Sequence, residues 1–230
     1  MKYLRKFATG TDKNVWLMGD DYVSPNVLLV EEAVYYNAQA IPKGVSIQHI
    51  DGTIYTMEQW VEKGFANDAA NGVAIVDEAA SFVIAKTEKY FCIWASDTSS
   101  LIDGVTTIPS STEQIKDYAG YANTQAMLSV DTSGAAYYCN TYIFPNGARG
   151  YLPAMGEWKV AYKYATQISE AMNLIGASQI GSSSDYYMWS STQYDATHAC
   201  TFNWEEGTIG APYGSSKSNS YMNVRAFAVL

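Results

Sequence analysis

Residues 181–230 read GSSSDYYMWS STQYDATHAC TFNWEEGTIG APYGSSKSNS YMNVRAFAVL, and their texture decides the fold. Large apolar residues recur singly or in short runs between Ser, Gly, Thr and Asn, which is how short strands joined by tight turns are written. Helical spacing lies upstream. Leu152-Pro153 opens a stretch with Trp158, Tyr162 and Ala165 on one face. A second short helix follows, with Ile168, Ala171, Met172 and Ile175 inward and Gly176 as its stop.

Working back, Val45-Ser46-Ile47-Gln48-His49 alternates, Asp51-Gly52 turns, and Thr53-Ile54-Tyr55 returns, a hairpin signal because Gly accepts the positive φ of such turns. Thr56 with Gln59 forms a capping box for a short helix that Gly64 ends. Gly72–Val76, Ser81–Ala85 and Tyr90–Trp94 read as strands. Ser111 with Gln114 suggests a second capping box, followed by Ile115, Tyr118, Ala119, Ala122 and Met127 near helical spacing. Pro145-Asn146-Gly147 is a turn. Strands and helices are segregated, which predicts an α+β fold. Residues 1–44 read as a small N-terminal module, with a strand candidate at Asn26–Val30 and a boundary turn at Pro42-Lys43-Gly44; residues 45–230 form the main domain. The first segment could attach, oligomerise or simply extend that domain.

Composition narrows the function. Charged residues are 16% of the chain and hydrophobic ones 48%, so a sizeable core is expected. The formal net charge is -9, and no Lys or Arg stands between Lys163 and Lys217, which argues against a phosphate-binding groove and hence against nucleic acid. Cys92, Cys139 and Cys200 are odd in number and widely spaced, matching neither a disulfide framework nor a zinc site and suiting folding in a reducing cytoplasm. Residues 1–7 are basic without an apolar signal core, and no apolar run reaches spanning length, so membrane insertion is not expected. Export would use another route, such as a particle released by lysis.

An ordered set of residues points further: Gly150-Tyr151-Leu152-Pro153-Ala154-Met155-Gly156-Glu157-Trp158, Ile175-Gly176, Trp189-Ser190-Ser191-Thr192-Gln193-Tyr194, Phe202, Gly207, and Val224-Arg225-Ala226-Phe227. Over about residues 45–230 it resembles the formylglycine-generating-enzyme-like branch of the C-type-lectin fold. Within that branch it is most similar to the variable proteins of diversity-generating retroelements carried by gut bacteria and their phages; the phage major tropism determinant is a more distant relative. The resemblance implies a diversified segment at about 185–225 displayed on a rigid scaffold, in a phage tail or at a bacterial surface, recognising a protein or glycan without cofactor or metal. Family members show Ala-Trp after the Trp-Ser-Ser-Thr motif where this chain has Ala199-Cys200; a variable position and a drifted structural one account for that equally.

The residues support a binding surface on their own terms. Residues 181–230 hold nine serines and five tyrosines but six charged side chains, a paratope-like mixture of rigid aromatic area and adaptable hydroxyls. The expected contact positions are Asp195, Thr197, His198, Cys200, Thr201, Asn203, Ala211, Pro212, Tyr213, Ser215, Ser216, Ser218, Ser220 and Met222. Strand alternation sends about half of such positions inward. Trp189, Phe202, Trp204, Val224 and Phe227 are expected as scaffold, each burying about 1.5–3 kcal/mol of apolar surface.

Catalysis finds less support. The oxidase chemistry of the formylglycine-generating enzymes uses two nearby cysteines late in the chain, and neither Cys139 nor Cys200 sits in a matching motif. Asn203 with Glu205-Glu206 could offer oxygen ligands to calcium, but no further carboxylates complete the shell. His49 sits in a strand pattern and His198 in the contact strip, no nucleophile elbow or phosphate-cradling Gly-rich loop appears, and Asp185 with Asp195 could meet only by tertiary accident. The chain therefore reads as a non-enzymatic binding protein. A structural part of a phage particle or surface appendage is the alternative, and a homo-oligomer stays open because no heptad repeat marks one.

Overall fold

The computed structural model describes residues 4–9, 12–17, 42–181, 186–211 and 213–230, in two units, Met1–Ala40 and Ile41–Leu230. In the first unit β1 (Leu4–Thr9) and β2 (Asp12–Leu17) pair antiparallel, with Thr9 opposite Asp12. The strand candidate at Asn26–Val30 lies outside the described residues. Gly44, read from sequence as the end of the first module, opens a strand of the second unit.

That unit starts with the expected hairpin. Between β3 (Gly44–His49) and β4 (Ile54–Tyr55), Gly52 takes φ 89° and the Asp51 carboxylate accepts the Thr53 N–H at 2.8 Å. The capping box then opens α1 (Met57–Glu62): the Gln59 N–H donates to Thr56 Oγ1 at 3.2 Å, and the Thr56 N–H donates to Gln59 Oε1 at 3.0 Å. β5 (Ala70–Val76), β6 (Ser81–Ile84) and the C-terminal β13 (Phe227–Val229) complete a five-stranded sheet in the order β13-β6-β5-β3-β4. Both its faces are covered. Val73, Ile75, Phe82 and Ile84 enter one apolar core with Trp158, Ile168 and Met172, while the intervening Ala74 and Val83 enter a second core with Trp94, Met127 and Trp189.

The second sheet runs β10-β9-β8-β12-β7, with β11 also on β9. Its strands are β7 (Lys89–Cys92), β8 (Tyr187–Gln193), β9 (His198–Asn203), β10 (Thr208–Ile209), β11 (Ser215–Ser216) and β12 (Met222–Val224). β12 is parallel to β8 and antiparallel to β7. Between β7 and β8 in sequence come α2 (Gly120–Leu128), α3 (Ala135–Thr141), α4 (Met155–Lys163) and α5 (Ala165–Leu174). The architecture is α+β, as the order of segments implied.

Three buried tryptophans tie the second sheet together, each indole N–H donating to a backbone carbonyl. Trp94 donates to the Ser190 carbonyl at 2.7 Å, Trp189 to the Cys92 carbonyl at 2.7 Å, and Trp158 to the Trp189 carbonyl at 3.1 Å.

Residues 111–127 depart from expectation. Ser111 caps nothing; a single 3-10 turn at Gln114–Lys116 ends before α2. The interruption is Asp117, whose buried carboxylate accepts from Thr192 Oγ1 at 2.8 Å, Asn123 Nδ2 at 3.0 Å and the Ala119 N–H at 2.9 Å. Those bonds hold Asp117 out of a continuous helix. The buried face of α2 is consequently Gly120, Asn123, Thr124 and Met127, while Tyr118 and Ala122 face solvent.

Candidate functional site

The β8–β9 turn and the loops around β11 form the candidate surface. At the turn, Asp195 Oδ1 accepts the N–H groups of Thr197 and His198, each at 2.7 Å, and lies 3.1 Å from His198 Nδ1. Burial opposes the Asp195 charge, but the Thr197 N–H, the His198 ring and the His198 N–H outweigh it and hold the carboxyl below its usual range. The turn is thus fixed by its own aspartate. β11 pairs with β9 so that Ser216 stands opposite His198 and Ser215 opposite Ala199. Gly214, at φ 74°, turns the chain into β11 so close to Tyr194 and His198 that a side chain there would collide with both.

The sequence-predicted contact positions divide in two. Thr197, Tyr213, Ser216, Ser218 and Ser220 are exposed, Tyr213 to 74%. Asp195, His198, Ala211 and Ser215 are half-buried at the same surface. Pro212 lies outside the described residues.

Cys200, Thr201, Asn203 and Met222 are buried, and they are corrected from contacts to packing. Cys200 and Met222 point into the two apolar cores. Thr201 Oγ1 meets Ser215 Oγ at 3.3 Å. Asn203 Oδ1 accepts the N–H groups of Glu205 and Glu206 at 3.0 and 3.3 Å, shaping the Glu-Glu-Gly turn rather than facing a cation. Alternation along β9 and β12, combined with cover on both faces, sends these side chains inward. Of the expected scaffold residues, Trp189, Phe202, Val224 and Phe227 are buried and Trp204 is partly so.

Two residues of this surface escaped the sequence reading. Tyr221 is 68% exposed, its N–H held by Asn219 Oδ1 at 2.9 Å. Lys217 is fully buried between the exposed Ser216 and Ser218. A lone lysine flanked by serines at i±1 in a cation-free stretch was the available signal, since alternate strand positions face opposite ways.

Of the groups weighed for chemistry, Asp185 lies outside the described residues. All three cysteines are free and buried; burial pushes the Cys92 thiol up to about 11, and pushes Cys139 and Cys200 up as well. His49 packs among Tyr55, Trp60 and Phe65. Among the described residues no group of three or more His, Cys, Asp or Glu is placed to hold a metal ion, and no helix is long and apolar enough to cross a membrane.

No protein-family description matches the chain, and no curated protein matches it. The structure is similar to that of a fimbrial protein from Bacteroides ovatus, with a TM-score of 0.56 and 15% identity. The match covers 80% of this chain and 48% of that one, so the chain spans about half the length of the fimbrial protein. At this identity the likeness concerns the fold alone.

Proposed function

We propose that residues 41–230 form a non-enzymatic recognition module of C-type-lectin-like fold, and that its contact surface is the strip of Thr197, His198, Tyr213, Ser216, Ser218 and Ser220 edged by Asp195. One observation carries this reading: exposed small hydroxyls and tyrosine alternate with buried anchors in the same segment. Such a strip can change side chains without disturbing the core beneath it. A pre-ordered surface also loses less entropy on binding. Diversification of about 185–225 follows from the resemblance; its target would be a protein or glycan on a bacterial cell, met from a phage tail or another bacterial surface.

The test is binding of fluorescently labelled protein to intact bacterial cells. The combined variant Tyr213→Ala, His198→Ala and Asp195→Ala is expected to lose cell binding at least about tenfold, the effect of removing a hot-spot residue. Replacing Tyr137 and Tyr138, exposed on α3, is expected to change nothing. Equal binding by the strip variant and the wild type would refute the surface assignment. A second reading is assembly into a surface appendage, the fold being shared with a protein described as fimbrial. The coding DNA separates the two: a near-copy of the segment for 185–225, differing mainly at adenines and beside a reverse transcriptase, supports recognition.

A further inference from the structure

Lys217 is the one cation of the strip segment, and its side chain is wholly withdrawn from solvent. Its ammonium donates to the Ser100 carbonyl at 2.7 Å, Gln193 Oε1 at 2.8 Å and the Ala196 carbonyl at 2.9 Å. These three bonds use every proton it has. The nitrogen also stands 4.9 Å above the centre of the Trp94 ring, within cation–π range. The backbone is used as fully: the Lys217 N–H donates to the Thr197 carbonyl at 3.0 Å, and the Lys217 carbonyl accepts the Trp94 N–H at 3.0 Å. Gln193 extends the contact inward, accepting the Ile102 N–H at 2.8 Å and donating to the Ile102 carbonyl at 3.2 Å.

We propose that Lys217 is the positioning residue of the recognition strip, an internal ammonium that joins the 94–100 segment, the β8–β9 turn and the β11 loop so that Ser216 and Ser218 are held outward. This rests on the strip reading above. A neutral side chain of similar length would fill the space but give up all three charge-assisted bonds, leaving the Ser100 and Ala196 carbonyls without this donor while Gln193 Oε1 keeps only the Ile102 N–H. The two exposed serines next to it make no comparable contact; they meet each other at 2.9 Å. Lys217 is therefore held on every polar atom of its side chain, between two serines whose hydroxyls are exposed.

The role is testable without knowing the ligand. Backbone amide exchange would be measured for the whole chain carrying Lys217→Met, and for Lys217→Ala with and without added n-propylammonium, using 1-propanol as the uncharged control. In Lys217→Met, exchange of the amides at 94 and 217 is expected to speed up about tenfold or more, the loss of a charge-assisted bond. The amides of Val73 and Phe82 are expected to keep their rates. In Lys217→Ala, propylammonium and not propanol is expected to restore slow exchange. Wild-type rates in Lys217→Met, or equal rescue by propanol, would overturn the proposal, since packing alone would then suffice. Should Lys217→Ala fail to fold, Lys217→Met still decides. Loss of cell binding is not the readout, so failure here is distinct from failure of the recognition reading.

Discussion

At the scale of single residues, the same stretch of chain carries side chains of opposite duty one position apart. Tyr213 and Ser218 touch little, so Tyr213→Ala and Ser218→Ala are expected to move the unfolding free energy by no more than about 0.5 kcal/mol. Met222, 8% exposed and packed in the core with Trp189 and Val224, is expected to cost about 2–3 kcal/mol as Met222→Ala. Urea denaturation of the three variants checks the contrast, and equal costs would contradict the inside–outside division. Sequence alone named the exposed members of the strip but also named Cys200, Thr201, Asn203 and Met222. Thr201 and Asn203 are of types that suit a surface, and cover on both faces of the sheet, a tertiary fact, takes them inward; Cys200 and Met222 are of types that suit a core. Lys217 was given no place by the sequence, because only the tertiary fold brings its three acceptors together.

Elements with apolar faces were legible. The β3–β4 hairpin, α1, α4, α5, β5 and β6 follow from alternation, helical spacing and turn glycines. What escaped were elements with polar interiors. α2 buries Asn123 and Thr124 beside Met127 while Ala122 faces solvent, and α3 buries only the small Ala135, Ala136 and Cys139 while carrying Tyr137 and Tyr138 on its exposed side. α4 has a polar device of its own. Glu157 turns back to accept the Ala154 N–H at 2.7 Å and the Tyr151 hydroxyl at 2.9 Å. Burial, reinforced by the Asp117 charge, raises its carboxyl to about 7 despite those bonds. A carboxyl raised in the folded state contributes stability that is complete below its ordinary value of 4.5 and disappears as pH climbs through about 7. The stability of Glu157→Gln relative to wild type is therefore expected to rise between those pH values and then level off. Denaturant melts across that range check this, and a flat difference would show that Glu157 titrates normally.

Across the molecule, the two sheets and the C-terminus meet at Arg225. Its side chain is fully buried, 3.4 Å from the equally buried Glu88 carboxylate, and donates to the carbonyls of Ala85 and Ser178 at 3.1 and 3.0 Å. Burial lowers Arg225 and raises Glu88, each partly offset by the other. Arg225→Met is expected to cost about 3–5 kcal/mol because Glu88 is left without its counter-ion, and adding Glu88→Leu is expected to recover part of that. A double variant no more stable than the single one, in the same melts, would contradict the pairing. The Val-Arg-Ala-Phe run stood out in the sequence, but its partner at Glu88 did not, since nothing local relates positions so far apart.

The division of labour between strip and scaffold is tested most directly by substituting every position from 195 to 222 singly, and scoring each variant separately for folding and for binding to intact cells. Substitutions at 197, 198, 213, 216, 218 and 220 are predicted to alter cell binding while leaving folding intact. Those at 200, 201, 203, 217 and 222 are predicted to impair folding first. If binding were indifferent to the first set, or folding tolerated the second as freely as the first, the account would be contradicted.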